Sequence, residues 1–223
     1  MPITIYKNSN GEKVPSVTTV LSVIEKPALK FWANKIGLEG VKVTEYVDDK
    51  AMIGTLTHHI IESHINKTDQ NFSKFNCNDE QIEQAHQCTK KYLEWENYQA
   101  EFIPLATELK LVSEKFGYGG TIDLLAVLNG KITLIDFKTC NAIYDEPYYQ
   151  TAAYAELADE NKITDKKIEQ IVILRIGRNE SEGFEYIEHK TRKASFKVFL
   201  SALELFKAKK EFQEAQKTNG RKN

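Results

Sequence analysis

Three cysteines in 223 residues, none in a Cys-x-x-Cys pair, leave little metal chemistry to sulfur. Cys77, Cys88 and Cys140 are widely spaced, so a zinc ribbon is not expected and a four-cysteine iron–sulfur cluster cannot be built within the chain. Reduced thiols of a cytosolic protein are the expectation. No apolar run approaches the ~20 residues of a membrane-spanning helix, and no membrane partner is expected. The segment Met1-Pro-Ile-Thr-Ile-Tyr-Lys7 has neither a signal-peptide core nor the Arg-rich, acid-poor character of a transit peptide, which points to the cytoplasm. There is no internal repeat and no low-complexity segment.

What is present is the composition of an ordinary globular protein, 41% hydrophobic and 28% charged, long enough to bury a sizeable core as one domain over residues 1–223. Net charge is −2, unevenly spread. Residues 1–160 carry 15 Lys/Arg against 23 Asp/Glu; residues 161–223 carry 15 against 9. A basic C-terminal third allows a local phosphate-binding surface, or simply a solvated helix face.

The pattern predicts a short strand at 3–6 and a turn at Asn8-Ser-Asn-Gly11. A helix over Val17–Ile24 follows, N-capped by Ser16, then one from Pro27 stopped by Gly37. Longer helices follow over 45–66 and 79–97, separated by a polar loop at 67–78. Strands are expected at 105–113, 118–128 and 131–137, then a helix from Asp145-Glu146-Pro147 to about Ala158. Strands at Glu169–Gly177 and Phe184–Lys190 and a helix over 194–216 complete an α/β chain with a mixed sheet. Residues 1–100 form its mainly helical part, and residues 101–223 the sheet core with flanking helices.

The most informative stretch is Asp123-Leu-Leu-Ala-Val-Leu-Asn129-Gly130-Lys-Ile-Thr-Leu-Ile-Asp136-Phe-Lys138. Asn129-Gly130 is a strong two-residue hairpin signal. With that turn Leu128 faces Lys131, and the same register sets Asp123 directly opposite Asp136. Lys138 follows on the same face by the strand's period of two. Both faces of the hairpin are apolar, so the hairpin is central and the acids lie at the end of a buried sheet. Opposed like charges destabilise a sheet, and buried carboxylates persist when paired or metal-bound. A hard divalent cation accounts for them. Lys138 beside it can orient a water or stabilise developing negative charge.

Other candidates gather around this hairpin. His58 and Glu62 share a helix face and can complete a metal shell; alone, such a pair is commonly a surface hydrogen bond. Gln150 and Tyr154 are also four apart, on the helix after the lysine strand. Glu108 lies mid-strand and either faces the acids or points to solvent. Arg175 and Arg178, in the basic third, are candidates for backbone phosphates.

Together these residues resemble the PD-(D/E)xK nuclease superfamily: Asp123 within Gly120-Thr-Ile-Asp123, then Asp136-Phe-Lys138. Gly54-Thr-x-x-His58-x-x-x-Glu62 and Gln150-x-x-x-Tyr154 are similar to motifs of its RecB-like exonuclease branch. Pro15-Ser-Val-Thr-Thr-Val-Leu21 is similar to the start of the mitochondrial genome maintenance exonuclease and its phage relatives. The resemblance implies a restriction-endonuclease-like core, a central mixed β-sheet flanked by helices, with an N-terminal helical elaboration. It implies a Mg²⁺- or Mn²⁺-dependent deoxyribonuclease, most closely an exonuclease on single-stranded DNA ends in replication, recombination or repair. The same fold also serves structure- or sequence-specific endonucleases and DNA-binding proteins without catalysis. By position, His58, Asp123 and Asp136 become metal ligands, with Glu62 and Glu108 secondary. Lys138 becomes the catalytic lysine, supported by Gln150 and Tyr154, and Ser16 and Thr18 become DNA contacts. Without the four-cysteine cluster of many RecB-type nucleases, the cluster-free branch fits better, in a bacterial or phage-infected cytoplasm.

Overall fold

The hairpin forms as its turn dictates. Asn129 and Gly130 take φ of 50° and 78°, the positive values a type I′ turn requires. In the computed structural model, which describes residues 4–220, the chain opens with a small antiparallel pair, β1 (Tyr6–Lys7) and β2 (Lys13–Val14). Residue 3 of the expected first strand lies outside the described residues. Four helices follow: α1 (Val17–Leu21), α2 (Pro27–Leu38), α3 (Val43–Asn66) and α4 (Asp79–Asn97). Ser16 caps α1 as expected, its Oγ accepting from the Thr19 N–H at 3.0 Å. Gly37 does not stop α2: the helix closes one residue later, and Gly40, with φ +77°, makes the turn. Asn78 and Gln81 form a capping box that fixes the start of α4.

Three consecutive strands come next, β3 (Phe102–Ser113), β4 (Tyr118–Leu128) and β5 (Lys131–Lys138). Then follow α5 (Glu146–Glu160), β6 (Gln170–Ile176), β7 (Phe184–Glu188) and α6 (Arg192–Gly220). The sheet order is β3-β4-β5-β6-β7, and only β5 and β6 run parallel, joined by the α5 crossover. Pro104 is tolerated because β3 is an edge strand and shifts register there.

Both faces of the sheet are covered, as the apolar runs of β4–β6 require. On one side Leu125, Leu134 and Ile171 pack with α1, α5 and α6, where Phe199 and Leu157 are fully buried. On the other, Leu124, Ala126, Ile135, Phe137 and Val172 pack against Ile53 and Ile61 of α3 and Tyr92 and Trp95 of α4. The result is three layers, α/β/α, with the conspicuous acids near the middle of the sheet.

Candidate active site

Regular alternation fails at one level of the sheet, and that failure builds the site. Ile122 lies in the same layer as Leu125, whereas an unbroken strand would place it with Leu124. On the facing strand the ladder pairs Thr107 with Leu124 and Leu109 with Ile122, leaving Glu108 level with Asp123. Glu108 takes φ +46°, a left-handed conformation that costs a non-glycine residue about 1 kcal/mol or more. Such local breaks re-aim side chains beside functional sites. Here they turn two carboxylates toward α3.

The expected face-to-face pairing of Asp123 with Asp136 is corrected by the same break. The β4–β5 register holds from Leu128↔Lys131 to Leu124↔Ile135 and stops one pair short of the acids. Asp123 Oδ2 instead accepts the Phe137 N–H at 2.8 Å. The strands part where two like charges would otherwise meet.

Phe137 orients a second group as well. His58 Nε2 lies 3.1 Å from the Phe137 carbonyl oxygen. A carbonyl only accepts, so Nε2 carries the proton and Nδ1 of the neutral ring is bare. Nδ1 faces Asp123 Oδ1 at 3.7 Å and Glu108 Oε1 at 3.9 Å, both too long for hydrogen bonds. Among the described residues, His58, Glu108 and Asp123 form the group of metal-capable side chains whose ligand atoms all lie within 4.8 Å of one another. Gly54 makes this approach possible. A Cβ there would stand 2.6 Å from Thr139 Oγ1, so a larger residue would force that side chain or the helix to shift. Glycine leaves α3 close to the end of β5, where His58, one turn on, reaches Phe137.

Asp136 borders this group without joining it. It is 1% exposed, and neither carboxylate oxygen has a well-directed hydrogen bond. Lys138 Nζ stands 2.5 Å from Oδ2. Burial pushes Asp136 up to about 6 against the pull of Lys138, with Asp123 adding to the rise. Burial, then the charge of Asp123, pushes Glu108 up to about 7. Burial opposes the charge on Lys138, but the Asp136 and Asp123 carboxylates outweigh it and hold the ammonium above its ordinary value. Carboxylates crowded with an under-satisfied buried acid and a bare imidazole nitrogen fit a hard divalent cation with oxygen-rich ligation.

Tyr154, buried behind the acids, keeps its phenol proton because burial and then Asp136 drive its pKa well above the ordinary value. Gln150 Nε2 donates to its Oη at 2.8 Å. The Tyr154 ring lies across Gly120, where a Cβ would approach Cε1 to 2.6 Å. Glu62 stands apart from the three-residue group, its Oε2 3.9 Å from His59 Nδ1, and contributes to the rise of Glu108. Ser16 runs beside β4, where the Gly119 N–H donates to the Pro15 carbonyl at 2.9 Å, and Thr18 is exposed on α1.

The two arginines do not offer free guanidinium groups. Arg175 is buried on β6, donating to Glu185 at 2.7 Å and to the carbonyls of Cys140 and Glu182 at 3.3 and 2.5 Å. Arg178 forms a forked pair with Glu182, at 3.2 Å from Nε and 3.0 Å from Nη2. Charge counting along the sequence could not see that acids of the same segment neutralise both. Phe137 is the converse case: its N–H and carbonyl hold Asp123 and His58 and its ring packs T-shaped against His58 at 5.6 Å, roles that an apolar residue type does not announce.

An acid row on a mixed sheet, a lysine beside it and a histidine from the covering helix come together on an α/β core. A family model of the PD-(D/E)XK nuclease superfamily matches residues 18–219, and the chain belongs to that superfamily. A crystal structure of a "Putative exonuclease" from Eubacterium rectale is similar at 13% identity and a TM-score of 0.49, over 70% of this chain and 64% of that one. The match thus spans less than two thirds of that protein's length. No curated protein matches the chain. Among the described residues no helix is long and apolar enough to cross a membrane.

Proposed function

We propose that this chain is a Mg²⁺- or Mn²⁺-dependent deoxyribonuclease that hydrolyses phosphodiester bonds from single-stranded DNA ends, in cytoplasmic replication, recombination or repair. The observation that carries the catalytic part is the convergence of His58 Nδ1, Glu108 and Asp123 beside the Asp136–Lys138 pair. In this reading His58, Glu108 and Asp123 hold the metal ion, with Asp136 completing its shell and Glu62 supporting it from α3. When bound, such an ion polarises a phosphoryl oxygen and lowers the pKa of a coordinated water.

The chain's own groups do the rest. Phe137 fixes the His58 tautomer and the Asp123 rotamer through one residue's carbonyl and N–H. Lys138 stays charged beside the acids and orients the attacking water or offsets the charge that develops on phosphate. Gln150 and Tyr154 brace the acids from α5. Ser16 and Thr18, on α1 at the edge of β4, are the proposed contacts to the DNA strand. The preference for ends rests on the resemblance to cluster-free exonucleases.

Covalently closed single-stranded circles incubated beside linear strands of the same sequence test that preference. Loss of the linear strands with circles intact is the expected result. Cutting of circles at a comparable rate would make the enzyme an endonuclease of the same fold.

A further inference from the structure

Eight residues before His58 on α3, roughly 12 Å along the helix at 1.5 Å per residue, lies Lys50 at the wall of a separate cavity. Lys50, Gly54 and His58 follow one another at intervals of four, so one stripe of α3 runs from this cavity past Thr139 to the metal-capable group. The cavity is a half-open groove of about 620 Å³ between α3, the first half of α4 and the turn after β6, within the volume range of small-ligand sites. Its walls bring Tyr46 together with the amides of Gln84, Gln87 and Asn179.

The charges of this cavity select its occupant. Lys50 is held by Asp49 at 2.8 Å, and Arg178 is held by Glu182. Glu80, Glu83 and Glu182 add three carboxylates to the lining. A phosphate would meet net negative charge and no free cation here. A neutral planar group with donors and acceptors along its edge meets a phenol ring and three side-chain amides. Of these, Gln84 and Gln87 donate to Glu80 and Glu83 by long exposed bonds of 3.2 and 3.3 Å, and Asn179 accepts from the Glu182 N–H through Oδ1. Trp32 and Tyr46 pack in an edge arrangement with ring centroids 5.8 Å apart at an interplanar angle of 62°. The Lys50 ammonium lies over the Tyr46 ring, 5.6 Å from its centroid, where a base would displace it to stack.

We propose that this cavity is a nucleobase subsite. It takes one base of the substrate strand near the scissile phosphate, with Tyr46 stacking and Gln84, Gln87 and Asn179 at its edge, while the strand's backbone stays on the His58–Lys138 side. The proposal rests on the nuclease reading above. It gives the enzyme a grip on a base, independent of phosphate charge, which sets how the strand is registered on the metal site.

The test is a coupling measurement on single-stranded oligonucleotides carrying one abasic residue at each position in turn, bound in Ca²⁺ and cleaved in Mg²⁺. Wild-type protein is expected to lose about tenfold in affinity when one particular base near the cleaved bond is removed. Tyr46→Ala loses a similar factor on the intact strand and no further factor on that abasic strand, while Tyr46→Phe restores binding. Gln84→Ala, on the surface of α4, provides a second variant whose loss falls on the same position. Losses that add for every abasic position, or no sensitive position in a protein that binds and cuts, would overturn the subsite and leave the nuclease standing. A wild-type protein that neither binds nor cuts any strand would overturn both.

Discussion

Glu108, Asp123, Asp136 and Lys138 show how far single residues can be read from their neighbours in sequence. The hairpin register brought two acids and a lysine together on the two central strands, β4 and β5. What it missed is that Asp123 leaves the ladder to take the Phe137 N–H, and that Glu108 comes level with it through a left-handed φ. Neither follows from a period of two, because both arise where that period breaks. The cost of crowding has a measurable sign. Glu108 is raised to about 7, so across roughly pH 5–8 the folded chain holds a proton the unfolded chain has released, and stability falls as pH rises through that window. His59 and His189, lowered chiefly by burial, act oppositely at acid pH, so the informative quantity is a difference. In metal-free buffer the Tm of Glu108→Gln should gain on wild type steadily from pH 5 to pH 8, read by calorimetry. A constant offset would contradict the burial of that charge.

At the scale of elements, helix starts and strand centres were legible because caps, turns and apolar periods are local. Ser16, Asn78-x-x-Gln81 and Asn129-Gly130 each behave as their chemistry demands. Arg175 and Arg178 are engaged by Glu185 and Glu182, which arrive through the β6–β7 turn that charge counting does not resolve. The approach of α3 to β5 was likewise invisible until Thr139 was seen against Gly54. Gly54→Ala should push the helix off the strand end, cost about 1–3 kcal/mol by overpacking, and weaken metal binding. Adding Thr139→Ala removes the Oγ1 that the new methyl meets and should restore much of both losses. Metal titration followed by calorimetry of the single and double variants checks this, and equal defects in the two would refute the contact.

For the whole molecule, the sheet is stabilised on both faces by apolar layers while its centre carries buried acids that repel one another. A divalent cation should therefore act as a structural ligand as well as a cofactor. At about 100 times its dissociation constant, a bound ion adds about 2.7 kcal/mol, which for a chain of this size corresponds to a Tm rise of roughly 5–10 °C. Addition of a chelator should reverse the rise, and Asp123→Asn should abolish it. The three-layer architecture was readable in advance from strands apolar on both faces and helices before and after them. The α3–α4 cavity was not, because its walls meet only in the folded chain.

The most direct test of the catalytic assignment is hydrolysis of single strands labelled at the 5′ or 3′ end by wild type and by Lys138→Ala, each with Mn²⁺ and with chelator. Wild type should release label only with the metal. Lys138→Ala, keeping its fold and its metal-dependent Tm, should be slower by a factor on the order of 10³, the scale of losing a preorganised electrostatic group. Undiminished release by a clean Lys138→Ala preparation would contradict the assignment.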